Sequence, residues 1–85
     1  MSFFVYVLRC SDKSLYTGST NNLEQRIKQH NNSKSGAHYT KIRRPVTLVY
    51  SEKLKTLADV RRRESEIKSW PRQKKLDLIK NKSGQ

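Results

Sequence analysis

The apolar positions in the first half of the chain predict two strands and a helix. The run FFVYVLR, residues 3–9, has the β-branched and aromatic composition and the length of a strand. A five-residue polar segment separates it from LYTGS, residues 15–19, so these two strands form an antiparallel hairpin. Asn21, with Glu24 three residues later, has the pattern of a capping box and opens a helix that continues to about Asn32.

The second half of the chain predicts one more strand and two more helices. A basic loop, SKSGAHYTKIRRP at 33–45, precedes the alternating strand VTLVYSE at 46–52. Thr56 caps a helix over 57 to about 68, and Pro71 lies near the start of the last helix, where its missing N–H costs little. The order ββαβαα predicts an α+β fold, with a small three-stranded antiparallel sheet flanked by about three helices.

Length and charge suggest a single small domain that binds a polyanion. The chain has 85 residues, and we expect one domain over 1–80 and a disordered tail over 81–85. It carries 19 Lys and Arg against 7 Asp and Glu, a net charge of +12, which favours nucleic acid as the partner. A membrane partner would need a spanning segment or a wide apolar helix face, and neither is present. The N-terminus does not resemble a signal peptide, and the single Cys10 cannot form an internal disulfide, so a cytoplasmic protein is expected, as a monomer or weak dimer.

The first helix places two basic side chains beside its apolar row. Leu23 and Ile27, at i and i+4, are predicted to face the sheet. Arg26 and His30 form a second i, i+4 row displaced by about 60°, which places them at the border of the buried face. On this helix alone, basic side chains extending toward solvent at a helix border explain the pattern, and a cleft is the alternative.

A glutamate interrupts the apolar stripe of the second long helix. Leu57, Val60 and Ile67 share one stripe, and Glu64 lies within it. A carboxylate in a core-facing row is costly unless it is paired or binds a cation. An ion pair with an arginine such as Arg26 and a metal-ligand role are therefore two hypotheses of equal weight.

The hairpin strands carry two tyrosines and a glycine at alternating positions. Phe4, Tyr6 and Leu8 share one face of the first strand, and Tyr16 and Gly18 share one face of the second. Tyrosines pack well in strands, so packing alone explains them. A strand glycine, however, often marks close approach of a backbone or ligand, so a pocket lined by both tyrosines is the alternative.

Two basic runs, KIRRP and RRRE, are usually solvated surface, and the net charge gives phosphate contacts at least equal weight as an interpretation. The candidate nucleic-acid contacts are Gly18, Ser19, His38, Lys41, Arg43, Arg44, Arg61 and Arg62. The sequence contains no Gly-rich phosphate loop, and its two histidines, without paired cysteines, make a poor zinc site.

These motifs resemble those of the GIY-YIG nuclease superfamily over about residues 3–80, most closely its small stand-alone bacterial proteins of uncharacterised function. The segments FVY, residues 4–6, and YTG, residues 16–18, are similar to the two motifs that name the family. Phe4 replaces a glycine and Thr17 an isoleucine, at backbone or packing positions.

The resemblance also covers the spacing of polar residues. Tyr6, Tyr16 and Arg26 follow one another at ten-residue steps, as in the family, and His30 matches a histidine found in several of its branches. Glu64 matches the helix glutamate that binds a single divalent metal in family members.

The resemblance implies a metal-dependent DNA endonuclease. Tyr6 would be the general base, Glu64 would bind Mg²⁺ or Mn²⁺, and Arg26 would hold a phosphate oxygen. Tyr16 and His30 would orient water or phosphate, or relay a proton. The pKa of Tyr6 is then expected to be lowered from about 10 by Arg26 and the metal.

Two alternatives stay open at this point. One is a non-catalytic nucleic-acid-binding module of the same fold, and the other is an RNA-binding protein with a steep salt dependence and no metal requirement. Ser19 stands where some nucleases of the family carry a lysine, which implies a different activation of the base or low activity. Glu64 discriminates between these hypotheses, because a pure binder of polyanions gains nothing from a carboxylate there.

Overall fold

The computed structural model describes residues 2–32 and 38–83. Its three antiparallel strands are β1 (Phe3–Arg9), β2 (Leu15–Thr20) and β3 (Thr47–Leu54), in the spatial order β2-β1-β3. The helices are α1 (Leu23–Asn32), α2 (His38–Lys41), α3 (Leu57–Lys68) and α4 (Arg72–Ser83). The predicted α+β class and three-stranded sheet are confirmed, while the four-residue α2 lies inside the predicted basic loop.

The central strand β1 is buried on both faces and divides the core in two. Val5 and Val7 point to one face, where they pack with Val60 and Ile67 of α3. Tyr6 and the residues that share its face pack against α1 and the segment before β3. Four consecutive residues of β1 are therefore buried, which requires helices on both sides of the sheet.

Several boundaries differ in detail from the sequence-based expectations. Asn22, rather than Asn21, caps α1, because its Oδ1 accepts a hydrogen bond from the Gln25 backbone N at 3.1 Å. Thr56 caps α3 as predicted, but Leu57 is 46% exposed and does not belong to the core stripe.

At the C-terminus, α4 continues to Ser83, beyond Asn81, where the disordered tail was predicted to begin. Positions 84 and 85 of that predicted tail, and positions 33–37 of the basic loop, lie outside the described residues. In the described ranges, no helix is both long and apolar enough to cross a membrane.

Candidate active site

The hairpin register brings the two predicted tyrosines onto one face of the sheet. Tyr6 is paired with Gly18, and Leu8 is paired with Tyr16. A Cβ atom on Gly18 would lie 2.5 Å from the Tyr6 hydroxyl oxygen and 2.6 Å from its Cζ. Glycine is therefore required here by the tyrosine ring that covers the strand, so the close neighbour is a side chain instead of the backbone or ligand expected from the sequence.

A buried chain of hydrogen bonds links β1, α1 and α2. The Tyr6 hydroxyl lies 2.8 Å from Nε2 of His30, and Nδ1 of His30 lies 2.7 Å from Oγ1 of Thr40. His30 and Thr40 are fully buried, and Tyr6 is 1% exposed. The predicted position of His30 at a helix border is therefore wrong: helical phase gives its direction correctly, but α2, which carries Thr40, covers the imidazole and leaves it fully buried.

Burial sets the protonation of Tyr6 and His30 in this chain of hydrogen bonds. Desolvation raises the pKa of Tyr6 to about 12, although Arg26 opposes the rise through a hydrogen bond and its positive charge. Desolvation, followed by the charges of Arg26 and Arg44, lowers the pKa of His30 to about 4. Arg26 thus acts on Tyr6 in the predicted direction, but burial outweighs it, and both Tyr6 and His30 are neutral at pH 7.

The contacts of His30 allow two arrangements of hydrogen. Arg26 can only donate to the Tyr6 oxygen, and the phenol can then either donate its own hydrogen to Nε2 of His30 or accept a hydrogen from it. In the first arrangement Nδ1 of His30 donates to Thr40, and in the second the Thr40 hydroxyl donates to Nδ1. Both arrangements leave the phenol and the imidazole joined by one hydrogen bond.

Tyr16 extends the cluster toward the surface. Its ring centroid lies 6.5 Å from that of Tyr6, 5.2 Å from His30 and 5.9 Å from Tyr39, on which it stacks. The Arg43 guanidinium covers the Tyr39 ring at 3.9 Å. Tyr39 and the Thr40 described above were missed from the sequence, because nothing in a basic loop indicates that a short helix would turn both residues inward.

Glu64 lies on the opposite face of the sheet. Its Oε1 accepts a hydrogen bond from the Ser19 hydroxyl at 2.8 Å, and its Oε2 pairs with Nζ of Lys68 at 2.9 Å. Ser19 is paired with Val5, so it points to the α3 side and away from Tyr6. Glu64 is therefore paired within the fold, but with a lysine of its own helix instead of the arginine suggested from the sequence.

Gly18 and Ser19 join two half-sites, the Tyr6–His30 cluster on one face of the sheet and Glu64 on the other. Because side chains alternate along β2, Gly18 contacts the tyrosines on one face and Ser19 holds Glu64 on the other. The negative charge of Glu64 still reaches Tyr6, where it contributes to the raised pKa. Since β2 is an edge strand, a ligand lying along it can contact both half-sites.

Two arginines of the basic segment, both predicted nucleic-acid contacts, are held by partners within the fold. Arg43 pairs with Asp12 at 3.0 Å. Arg44 donates to the backbone carbonyls of Gln29 and His30 near the end of α1, which satisfies acceptors that a helix leaves unpaired. These arginines connect the basic segment to the rest of the fold.

The other predicted basic contacts lie on helix surfaces. Lys41 at the end of α2 and Arg61 on α3 are exposed, and Arg62 is exposed and pairs with Asp59 at 2.9 Å. His38 begins α2, but its side chain lies outside the described part of the structure.

Comparison with known proteins gives one consistent family. Residues 2–77 match the family described as the GIY-YIG catalytic domain. The chain is 54% identical over 77 residues to a UPF0213 protein of Syntrophus aciditrophicus, covering 91% of this chain and 88% of that protein. It is 52% identical over 81 residues to a UPF0213 protein of Staphylococcus aureus, covering 95% and 98%.

Solved structures agree with this assignment. The solution NMR structure of a UPF0213 protein from Bacillus halodurans has a TM-score of 0.64 at 40% identity, covering 99% of this chain and 88% of that chain. The solution NMR structure of a protein from E. faecalis has a TM-score of 0.67 at 33% identity, covering 100% and 90%.

Proposed function

Because the chain belongs to the GIY-YIG family, we propose that it is a metal-dependent endonuclease that hydrolyses DNA phosphodiester bonds. The observation that carries this proposal is the buried pair formed by the Tyr6 hydroxyl and His30, beside Tyr16 and Arg26. Such a pair supplies a proton acceptor that does not depend on a preformed phenolate. The formal net charge of +12 attracts the nucleic-acid substrate.

Tyr6 would act as the general base together with His30. With a pKa of about 12, the phenol is rarely ionised at pH 7, so it would accept the proton of the attacking water as its own proton moves to Nε2 of His30. Thr40, bonded to Nδ1, would hold the imidazole in the tautomer that leaves Nε2 as the acceptor.

Arg26 and Tyr16 would hold the scissile phosphate at the β2 edge. A guanidinium beside the phenol can bind a non-bridging oxygen and stabilise the charge that develops there. Tyr16 would orient the phosphate or the water from the outer side of the cluster, since it is the less buried of the two tyrosines.

Glu64 would bind the divalent metal. No group of three or more metal-binding side chains occurs in the ranges 2–32 and 38–83, so the site differs from a closed protein cage. Mg²⁺ fits one partly exposed carboxylate, because it keeps several waters and takes further ligands from substrate phosphates. When bound, the metal would supply positive charge that polarises the phosphate and stabilises the leaving oxygen.

The test is a cleavage assay with Mg²⁺ or Mn²⁺ on single-stranded, duplex and branched DNA. Tyr6→Phe is expected to lower the rate by roughly 10²- to 10⁴-fold, the usual contribution of a general base. The matched control is Tyr50→Phe, because Tyr50 is a buried strand tyrosine in the core cluster on the other face of the sheet. This variant should cut DNA at the normal rate. Equal rates for the two variants would contradict the role of Tyr6.

A second pair of variants addresses the metal. Glu64→Ala should abolish cutting. Glu66 is an exposed glutamate on the same helix, and the Glu66→Ala variant should retain cutting. Unchanged cutting by highly purified Glu64→Ala protein would refute the proposed metal role.

The competing candidate is a binding module without catalysis, and one observation favours it. Both oxygens of Glu64 already have donors, from Ser19 and Lys68, so the carboxylate is neutralised within the fold. A pure binder should bind DNA or RNA equally well or better when Glu64 is removed, and should cut neither. Binding without metal-dependent cutting in the assay above would establish this alternative.

A further inference from the structure

The two oxygens of Glu64 are held by donors of very different rigidity. Oε1 accepts from Ser19, a residue of the hydrogen-bonded strand β2 with a short side chain. Oε2 contacts the ammonium of Lys68, whose four-carbon side chain is 52% exposed. The hydroxyl therefore fixes the orientation of the carboxylate, and the ammonium, on a flexible and exposed side chain, can be exchanged for another cation.

We propose that Lys68 is a tethered cation that occupies Glu64 in the metal-free protein and is exchanged for the divalent metal. This inference rests on the proposed function, because it assumes that Glu64 binds the metal. The metal would take the place of the Lys68 ammonium on the carboxylate, while Ser19 would keep its hydrogen bond to Oε1. Lys68 thereby lowers the affinity of Glu64 for metal until the exchange occurs.

A second helical ion pair shows why this one differs from an ordinary surface contact. Lys28 and Glu24 on α1 have the same i, i+4 spacing, but both side chains are highly exposed, at 72% and 83%, and their atoms are 3.5 Å apart. The Glu64 side chain is only 20% exposed and its contact with Lys68 is 2.9 Å. A partly desolvated carboxylate has a stronger requirement for a cation, whether ammonium or metal.

The experiment measures Mn²⁺ binding to the full chain without DNA, by the loss of the free-ion signal in electron paramagnetic resonance. Lys68→Gln is expected to bind Mn²⁺ roughly two- to fivefold more tightly than the wild type, the range expected for removing one competing ion pair. Lys28→Gln removes the same charge from the matched pair and should change the affinity less. Lys68→Arg, which keeps the charge, should not show the gain.

A second readout follows the lysine itself. In the wild type, Mg²⁺ should shift the NMR signals of the Lys68 Cε group toward their positions in Glu64→Gln, where the ion pair is absent. Equal affinities for Lys68→Gln and Lys28→Gln, with Lys68 signals that do not respond to Mg²⁺, would overturn the exchange while leaving metal binding at Glu64 intact. Mn²⁺ binding that persists unchanged in Glu64→Gln would instead refute the metal role of Glu64, and the exchange with it.

Discussion

Acidification from pH 7 to pH 5 should destabilise the protein through His30. The ring is fully buried, and burial with two nearby arginines lowers its pKa to about 4 in the folded protein. In the unfolded chain its pKa returns to about 6.5. Between these values the unfolded chain binds more protons than the folded protein. The contribution of His30 to the free energy of unfolding is therefore present above about pH 6.5 and is lost as the pH falls toward 4.

The expected loss follows from the two pKa values. A difference between about 6.5 and about 4 corresponds to about 3 kcal/mol in the free energy of unfolding when it is fully expressed. Integrating the proton uptake from pH 7 to pH 5 gives a loss of about 2 kcal/mol over that interval. For a domain of 85 residues this is a large share of a total stability of roughly 5–10 kcal/mol.

Urea unfolding at pH 7 and pH 5, followed by the fluorescence of the single Trp70, measures this loss. Wild type and His38→Gln should lose about 2 kcal/mol more than His30→Gln, because groups other than His30 contribute equally to all three proteins. The ring protons of His30 can also be titrated by NMR in the wild type, which needs no variant. An equal loss in His30→Gln, or a His30 pKa near 6.5, would refute the reasoning.

Three substitutions test the packing by their urea midpoints. Gly18→Ala should destabilise by roughly 1–3 kcal/mol, since the new Cβ meets the Tyr6 ring; an unchanged midpoint would contradict that contact. Thr17→Val should stabilise by about 1 kcal/mol, because the Thr17 hydroxyl is buried without a hydrogen-bond partner in the described structure; a lower midpoint would reveal a hidden partner. Thr56→Ala should cost about 1 kcal/mol by removing the cap that Asp59 N uses, and no loss would show that the cap is dispensable.

The strands and long helices could be predicted from local periodicity because each buries a regular set of apolar side chains. β1 consists almost entirely of aromatic and aliphatic residues, and helices pack on both faces of that strand. The short helix α2 follows no such rule, since four residues hold too little pattern to be distinguished from a turn. The shift of the α1 cap from Asn21 to Asn22 has a similar origin, because adjacent asparagines are equally good caps.

Burial depth in the candidate site was less predictable than direction. Helical phase correctly places Arg26 and His30 on the side of the tyrosines, but a second element decides whether a side chain is at a border or enclosed. Lys68 was missed for a related reason. A lysine four residues after a glutamate is common on helix surfaces, and its position on a partly buried carboxylate is visible only once α3 is packed on the sheet.

The division of the site between two faces of the sheet constrains the substrate. Alternation along β2 sends Gly18 to the tyrosines and Ser19 to Glu64, so one phosphate could engage both half-sites only where the sheet ends. On a central strand the neighbouring strands would block that route, and β2 lies at the edge of the order β2-β1-β3. If the chain is the nuclease proposed above, the nucleic-acid strand would run over the edge of β2, with the scissile phosphate beside Gly18 and Ser19.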